Sequence, residues 1–376
     1  MKKMLFETVL SGHRMEYIHH LYMEMLNHKD DKFVIVVAEE FNKRKSDYNW
    51  LESYNITFDF IPQAEAERAN KGNIIAQAWK KSKLLRGYIK KHESQKVFLI
   101  TLMKLLPFLP FFIPSKCKIV SIVYKIYLYE WKKYSFMRKM IEVLKYKLMV
   151  NSRCIHAVFI LNDEASARYL NGLYRTSKFQ YLVDPYNKID YTPHDLRGEL
   201  GIPEGNRVFL HFGGLQRRKG TMEIIKALEL LGEKDRNDVT VIFAGKIYKD
   251  IREEFYRELE KAEQICNIIV FDRFCSVELL ADLCYSCTQI LIPYQVMAQS
   301  SGLLGYAAQF QKPVLGPSEG LIGKLIREYN LGFTMPTEKA HSIAEGIEAQ
   351  QTFCPDSRYI NKMTVKTFVN QIFAHF

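Results

Sequence analysis

No Asp-X-Asp triplet occurs anywhere in the 376 residues. That excludes the paired-aspartate cradle by which many enzymes hold a divalent metal against a phosphate. A Gly-X4-Gly-Lys-Ser/Thr loop is also missing, since Gly323-Lys324 lacks both the upstream glycine and the following Ser or Thr. Cysteine is sparse: seven residues, an odd number scattered over a long chain, do not build a disulfide framework and point to a reducing compartment. Cys284 and Cys287 form one Cys-X-X-Cys, but no second pair stands at zinc-site spacing. Their segment, "ADLCYSCTQILIP", reads as a helix running into a strand, which places both thiols in the core. The longest apolar stretch, residues 97–113, is broken by Lys104, Pro107 and Pro110, which argues against a transmembrane helix. At the start, "MKKMLFETVLSGHRM" is interrupted by Glu7 and does not read as a signal peptide, so the cytoplasm is the expected location. Repeats and low-complexity tracts are absent as well.

What the chain does contain is enough apolar residue, 48%, for two cores, and 376 residues suggest two domains. Strand-like runs alternate with helical stretches, the pattern of parallel sheets covered on both faces. In the first half the expected strands are 4–9, 33–38, 56–61, 97–102, 119–123 and 157–161. In the second they are 207–212, 239–244, 268–271, 289–293 and 313–316. Between them "VDPYNKIDYTPHDLRGELGIPEGN", rich in proline, glycine and aspartate, reads as a linker.

The net charge of +11 is concentrated in one region: residues 79–153 hold 18 lysines and arginines against the three acids Glu93, Glu130 and Glu142. Within it, "VFLITLMKLLPFLPFFI" and "YKIYLYEWKKYSFMRKM" interleave cations with aromatic and aliphatic residues, the chemistry of a membrane interface. The first segment is expected to dip into the headgroups and the whole region to contact an anionic membrane peripherally. Against this, Met137, Ile141, Leu144 and Leu148 read as the core stripe of an ordinary helix. Nucleic acid is the competing partner for a basic, aromatic surface, but no recognisable nucleic-acid-binding motif is present, and none is expected as a partner.

A second cluster of charge lies in "LHFGGLQRRKGTMEIIKALELL", which reads as a strand end, a glycine turn, three cations and a helix. Met222, Ile225, Leu228 and Leu231 form its buried stripe, while Glu223, Lys226 and Glu229 face water. Arg217, Arg218 and Lys219 therefore stand at a helix N-terminus, where free N–H groups and the macrodipole already favour an anion. Downstream, "SSGLLGYAAQF" offers Ser300 or Ser301 as a cap, and Gly302 permits close approach of a phosphate to the backbone.

With "VTVIFAGK", "IIVFDRFCSVELLADLCYSCTQILIPY" and "SSGLLGYAAQFQKPVLGPSEGLIGKLIREYNLGFTM", these segments resemble, in order and spacing, the donor-binding domain of a family 4 type glycosyltransferase of the GT-B fold. In the first half only the architecture and the turn "SGHRMEYIHHL" are similar. The resemblance implies an α/β protein of two doubly wound Rossmann-like domains facing across a cleft. Residues 1–185 would be an acceptor-binding, membrane-facing domain, 186–355 the nucleotide-sugar domain, and 356–376 a terminal helix crossing back to the first. Lys219 and Arg218 would offset charge on the departing diphosphate, with His13 as a further catalytic candidate at the end of the first strand. Gly213, Gly214, Arg217, Phe274, Gln299, Ser300, Ser301, Gly302 and Glu319 would surround the donor.

The sequence also departs from the family. Gly214 stands where many members carry arginine, Ala298 and Tyr306 where many carry two glutamates, and Tyr124 near the place of a first-domain histidine. His19 and His20 read as surface or packing residues and His156 as structural. The expectation is a cytoplasmic enzyme at the inner face of the cell membrane, acting in cell-surface polysaccharide assembly. It would move sugar from a nucleotide donor to a glycan or lipid-linked acceptor, with retention of configuration and with neither metal nor cofactor. The rival is a catalytically silent sugar-nucleotide-binding or scaffold protein of the same fold.

Overall fold

In the first half of the chain, short β-branched and aromatic runs such as "KFVIVVA" and "KIVSIV" are apolar at nearly every position, which suits strands covered on both faces. The computed structural model, which describes residues 1–9, 14–296, 298–349 and 353–376, assembles seven of them into one parallel sheet. These are β1 (Lys2–Glu7), β2 (Lys32–Ala38), β3 (Ile56–Ile61), β4 (Lys96–Leu99), β5 (Lys118–Val123), β6 (Ile155–Leu161) and β7 (Phe179–Leu182), in the order β3-β2-β1-β4-β5-β6-β7. The chain leaves β1 toward β2 and β3, then returns across to β4, so the topological switch lies between β1 and β4. This unit comprises Met1–Asp184 together with Val365–Phe376.

The second unit, Pro185–Thr364, repeats the plan with β8 (Arg207–Phe212), β9 (Val239–Ala244), β10 (Asn267–Phe271), β11 (Gln289–Leu291), β12 (Val314–Pro317) and β13 (Gly332–Met335). Their order is β10-β9-β8-β11-β12-β13, all parallel, with the switch between β8 and β11. Both units are thus Rossmann-like α/β domains. Strands β7 and β13 escape the sequence reading because each is a four-residue edge strand whose polar and aromatic positions give no clear apolar run.

Three other expectations change. The segment 183–206 is not a free linker, because from Pro185 onward it is strapped to the second unit. There His194 N–H donates to Asp282 (3.0 Å), Leu196 N–H to Ser286 Oγ (2.8 Å) and Arg197 Nε to the Ser286 carbonyl (2.9 Å). The terminal segment divides: Arg358–Lys362 belongs to the second unit and Val365–Phe373 to the first. In the first unit Phe368 packs on Tyr17, and Phe376 on Phe33 and Phe98.

The third change concerns the basic region. Segment 97–113 does not dip into headgroups: Leu99, Leu102, Leu105, Leu106, Leu109 and Ile113 are buried in the first core. Helix Phe136–Asn151 shows the reverse. It buries Tyr146 and Met149, while the residues read as its core stripe lie largely on the outside. Phe136 (79%), Met137 (74%), Met140 (59%), Ile141 (47%) and Leu144 (54%) are exposed, and their spacing makes one continuous apolar stripe along the helix. No helix among the described residues is long and apolar enough to cross a membrane. Cys284 and Cys287 are fully buried, and all seven cysteines are free.

Candidate active site

Because every strand of the second sheet points the same way, the loops after β8 to β12 all emerge at one edge. The loop after β8 starts at Gly213 (φ 89°), whose N–H donates to the Ala244 carbonyl (2.9 Å). Two glycines set its path. A Cβ on Gly245 would lie 1.9 Å from the Gly213 carbonyl oxygen, and one on Gly220 (φ 77°) 2.1 Å from that of Pro293. Any side chain at either position would push the turn off β9 or β11. The turn Arg217–Lys219 follows, then helix Thr221–Leu228 with its apolar side against the core.

A buried histidine clamps this turn to the sheet. His211, on β8, places Nδ1 3.0 Å from the Leu291 carbonyl and Nε2 3.0 Å from Thr221 Oγ1. A carbonyl only accepts, so Nδ1 carries the proton and Nε2 accepts from the Thr221 hydroxyl. Thr221 Oγ1 in turn accepts from the Gln216 N–H (3.1 Å). Complete burial, opposed by the Leu291 hydrogen bond and aided by nearby Lys219, pulls His211 down to about 4. The sequence reading weighed four other histidines and missed this one. Its signal was present: a lone histidine inside an apolar strand needs partners on both ring nitrogens.

The candidate residues do not all converge. The Lys219 ammonium sits 3.0 Å from where a Gly213 Cβ would be and 5.5 Å from the Tyr294 ring centroid. Arg218 crosses to the loop after β11: its carbonyl accepts from the Gln295 N–H (2.9 Å), and its guanidinium donates to Gln216 (2.7 Å) and to Gln299 (3.4 Å). Arg217 turns away instead, into an ion pair with Glu254 that Lys226 shares. Gly214 lies under Tyr248, whose ring carbon is 3.0 Å from the position of a Gly214 Cβ; that aromatic fills the space a side chain would need.

Ser301 is buried and donates to the Tyr294 hydroxyl (3.2 Å), while its Oγ accepts from the Leu303 N–H (3.3 Å). The cap of helix Leu303–Gln309 is Gly302 itself. Tyr294, which the sequence reading did not single out, therefore joins Lys219 to the Ser300-Ser301-Gly302 turn. Phe274, after β10, is 91% exposed, and Glu319, after β12, stands exposed just ahead of helix Gly320–Glu328. Ala298 is buried, and Tyr306 packs edge-on against Phe212 (5.2 Å) and Tyr186 (5.5 Å). Ring packing fills the place of one expected carboxylate. His13, with Ser11 and Gly12, lies outside the described residues. His19 accepts from Trp50 Nε1 (2.7 Å) and His20 packs near Phe368, both in packing roles.

An edge with one half-buried lysine, one bridging arginine, close-approach glycines and an exposed aromatic is suited to an anionic ligand that carries a flat ring. Residues 194–350, within the second unit, match the family of glycosyl transferases group 1. No curated protein sequence matches the chain. Among solved structures, HepE of Anabaena in complex with UDP and glucose aligns with a TM-score of 0.69 at 16% identity, covering 100% of this chain and 98% of that one. WaaG, a glycosyltransferase involved in lipopolysaccharide biosynthesis, gives 0.64 at 14%, covering 99% and 95%. A UDP-forming α,α-trehalose-phosphate synthase from Burkholderia xenovorans, in complex with glucose-6-phosphate, gives 0.69 at 9%, covering 100% and 99%. At these identities the structural likeness establishes the GT-B fold alone, and the family match is confined to residues 194–350.

The His211 clamp has a pH signature. Its folded-state value lies below that of a free histidine, so protonation favours unfolding. The clamp's stabilisation is complete above about pH 6.5 and is lost as pH falls toward about 4. The expected slope is roughly 1.4 kcal/mol per pH unit in that window. Thermal unfolding of wild type and His211→Gln between pH 7 and 4.5 should converge as pH falls; a gap that stays constant rules out the neutral clamp.

Proposed function

We propose that the protein is a glycosyltransferase that moves a sugar from a nucleotide-sugar donor to a glycan or lipid-linked acceptor. The observation that carries this reading is Lys219, held over Gly213 at the β8/β11 switch, within a segment that matches group 1 glycosyl transferases. Breaking a sugar–phosphate bond develops negative charge on the departing diphosphate. Cations already fixed in place lower that barrier because they need no reorganisation. Lys219 meets the diphosphate, and Arg218, anchored by Gln216 and Gln299, flanks it. Gly213, Gly214 and Gly302 let the phosphates reach the backbone, Phe274 offers a face to the base, and Gln299, Ser300 and Glu319 take sugar hydroxyls. Arg217 supports the turn through Glu254. HepE is recorded with UDP-glucose, which makes UDP-sugars the first donors to try.

Lys219→Ala is expected to lower turnover by roughly 10²- to 10³-fold with little change in melting temperature, since the ammonium's partner is the ligand. Turnover within a few-fold of wild type removes Lys219 from the mechanism. Nucleotide binding without turnover in the wild type identifies the catalytically silent alternative, which the missing carboxylates at Ala298 and Tyr306 favour.

The reaction runs without a metal and with retention, readings supported by the absence of Asp-X-Asp and by the family resemblance. The same assay in EDTA, with the product's anomeric configuration read by proton NMR, should show undiminished turnover and retained configuration. Loss of activity restored by Mn²⁺ or Mg²⁺ overturns the first, and an inverted product the second.

The acceptor is met at the inner face of the cell membrane. The apolar stripe from Phe136 to Leu144, beside Lys132, Lys133, Arg138 and Lys139, fits an anionic leaflet: aliphatic side chains enter the headgroup layer while each cation adds about 1 kcal/mol. Changing those four cations to glutamine should release the protein from acidic vesicles, and so should Met137→Ser with Ile141→Ser. Equal binding of variants and wild type sinks the assignment, and binding to DNA without binding to lipid transfers the surface to nucleic acid.

A further inference from the structure

Among the helices that cover the first sheet, helix Gln63–Asn70 and helix Ile74–His92 leave a groove of ≈ 570 Å³ between them, open to solvent. On the longer helix its lining runs from Trp79 to Lys91, about 18 Å along the axis. Ala69 and Leu84 are buried and give it an apolar floor. Four cations, Arg68, Lys80, Lys83 and Lys91, line it against the single carboxylate of Glu65. Two of them are committed elsewhere, since Lys80 Nζ donates to the Lys71 carbonyl (2.8 Å) and Lys91 pairs with Asp59 (2.6 Å). Arg68 and Lys83 are exposed and have neither hydrogen bond nor ion pair among the described residues.

Two residues of the groove have no explanation inside the chain. Gly87 stands well within helix Ile74–His92, where glycine weakens a helix relative to alanine. A Cβ there would meet nothing within 4 Å, so no packing requires the glycine, and its effect is to keep the groove clear. Trp79 is the other. It is 42% exposed, with Phe112 edge-on at 6.1 Å and the Lys83 ammonium 5.3 Å from its ring centroid. Its Nε1 makes no hydrogen bond among the described residues. An aromatic face with a spare N–H, set beside two unpaired cations, suits a ligand that combines an apolar face, acceptor oxygens and negative charge. Glu65 narrows the class further. Burial first, and then the charges of Glu65 and Asp59, push the neighbouring Tyr88 hydroxyl up to about 12. An ionised carboxylate only accepts, so Glu65 repels a bare phosphate but receives hydroxyl donors. A sugar ring that bears an acidic group meets every one of these demands.

We propose that this groove binds an acidic oligosaccharide, with Trp79 as the stacking platform, Arg68 and Lys83 as the charge partners, Glu65 as a hydroxyl acceptor and Gly87 as the clearing over which the glycan passes. The site lies in a different unit from Lys219, and it stands whether or not the chain transfers sugar.

Calorimetric titration of the full chain with tetragalacturonate, and with maltotetraose as its neutral counterpart, tests it. The acidic tetramer should bind at least roughly tenfold more tightly than the neutral one. Trp79→Ala, Gly87→Leu and the pair Arg68→Gln with Lys83→Gln should each weaken it by roughly tenfold or more, while Lys219→Ala binds it as wild type does. Gly87→Leu should melt at or above the wild-type temperature, because leucine is the better helix former and its Cβ enters open space; its loss of binding then reports on the groove and not on folding. No binding of tetragalacturonate, equal affinity for maltotetraose, or equal binding by all variants overturns the proposal. Phosphatidylserine vesicles that bind wild type but not Gly87→Leu, with no binding of the tetramer, overturn it as well and give the groove to lipid. A chain that binds the tetramer through Trp79 but binds no nucleotide sugar refutes the glycosyltransferase reading while leaving the glycan groove standing.

Discussion

A parallel strand cannot hand the chain to its neighbour by a tight turn; each connection must cross a face of the sheet and start again from the same end. Both sheets here obey that rule at every pairing among the described residues. Their faces are therefore committed to covering helices and to burial. What remains for chemistry is the edge where the strands finish, and within that edge the gap where the chain reverses its direction of travel across the sheet. In the second unit Lys219 occupies that gap. Its position is not marked by hydrophobic pattern. It is a consequence of topology.

At the second sheet's edge, the fixing of a flexible cation takes more residues than the cation itself. A lysine on a surface turn samples many rotamers and would hold no fixed position. Gly220 lets the turn touch the Pro293 carbonyl, Gly245 lets β9 pass under Gly213, and His211 ties strand, neighbouring strand and turn together through its two ring nitrogens. Arg217 spends its charge on Glu254 rather than on a ligand, which pins the outer side of the same turn. Tyr294 then limits Lys219 from the other loop. Of these, the cations were legible in sequence, after the Gly213-Gly214 turn and before a helix, while Gly220 and Gly245 carried no mark of their own. His211 carried only the general signal of a histidine inside an apolar strand, and Tyr294 follows the strand 289–293 with nothing to mark it until the adjacency of β8 and β11 is known.

The same limit explains the misreadings in the basic region. A 3.6-residue apolar period says that a helix has one apolar side; it does not say what covers that side. Met137, Ile141 and Leu144 satisfy the period and lie exposed, whereas Tyr146 and Met149, outside the expected stripe, are the residues that enter the core. Residues 97–113 erred the other way: a run interrupted by a lysine and two prolines reads as interfacial, yet it supplies seven buried side chains to the first core. The inner strands were legible because full burial leaves them apolar at nearly every position. Strands β7 and β13 were not, since each has only four residues with polar or glycine positions among them, whereas the other two edge strands, β3 and β10, keep enough apolar positions to be read.

Replacing the carboxylates that the family resemblance leads one to expect has a structural counterpart. An acid at position 306 would face Phe212 and Tyr186 across about 5 Å of apolar contact, where an unpaired charge is costly. Tyr306 instead completes a ring cluster whose other end, Tyr186, donates its hydroxyl to Gln309 (2.7 Å) and its N–H to the Met363 carbonyl (2.7 Å). Gly305 has to be glycine for this to close, since a Cβ there would lie 2.1 Å from the Tyr186 ring. Losing the acid is therefore bound up with how residues 185–189 are strapped to their own unit. A single Tyr306→Glu change would not restore a sugar contact; it would place a charge against two aromatic rings and loosen that strap. On the proposed reading, sugar hydroxyls would be met by groups in the solvent-facing loops, among them Gln299, which Arg218 holds at the edge of the sheet.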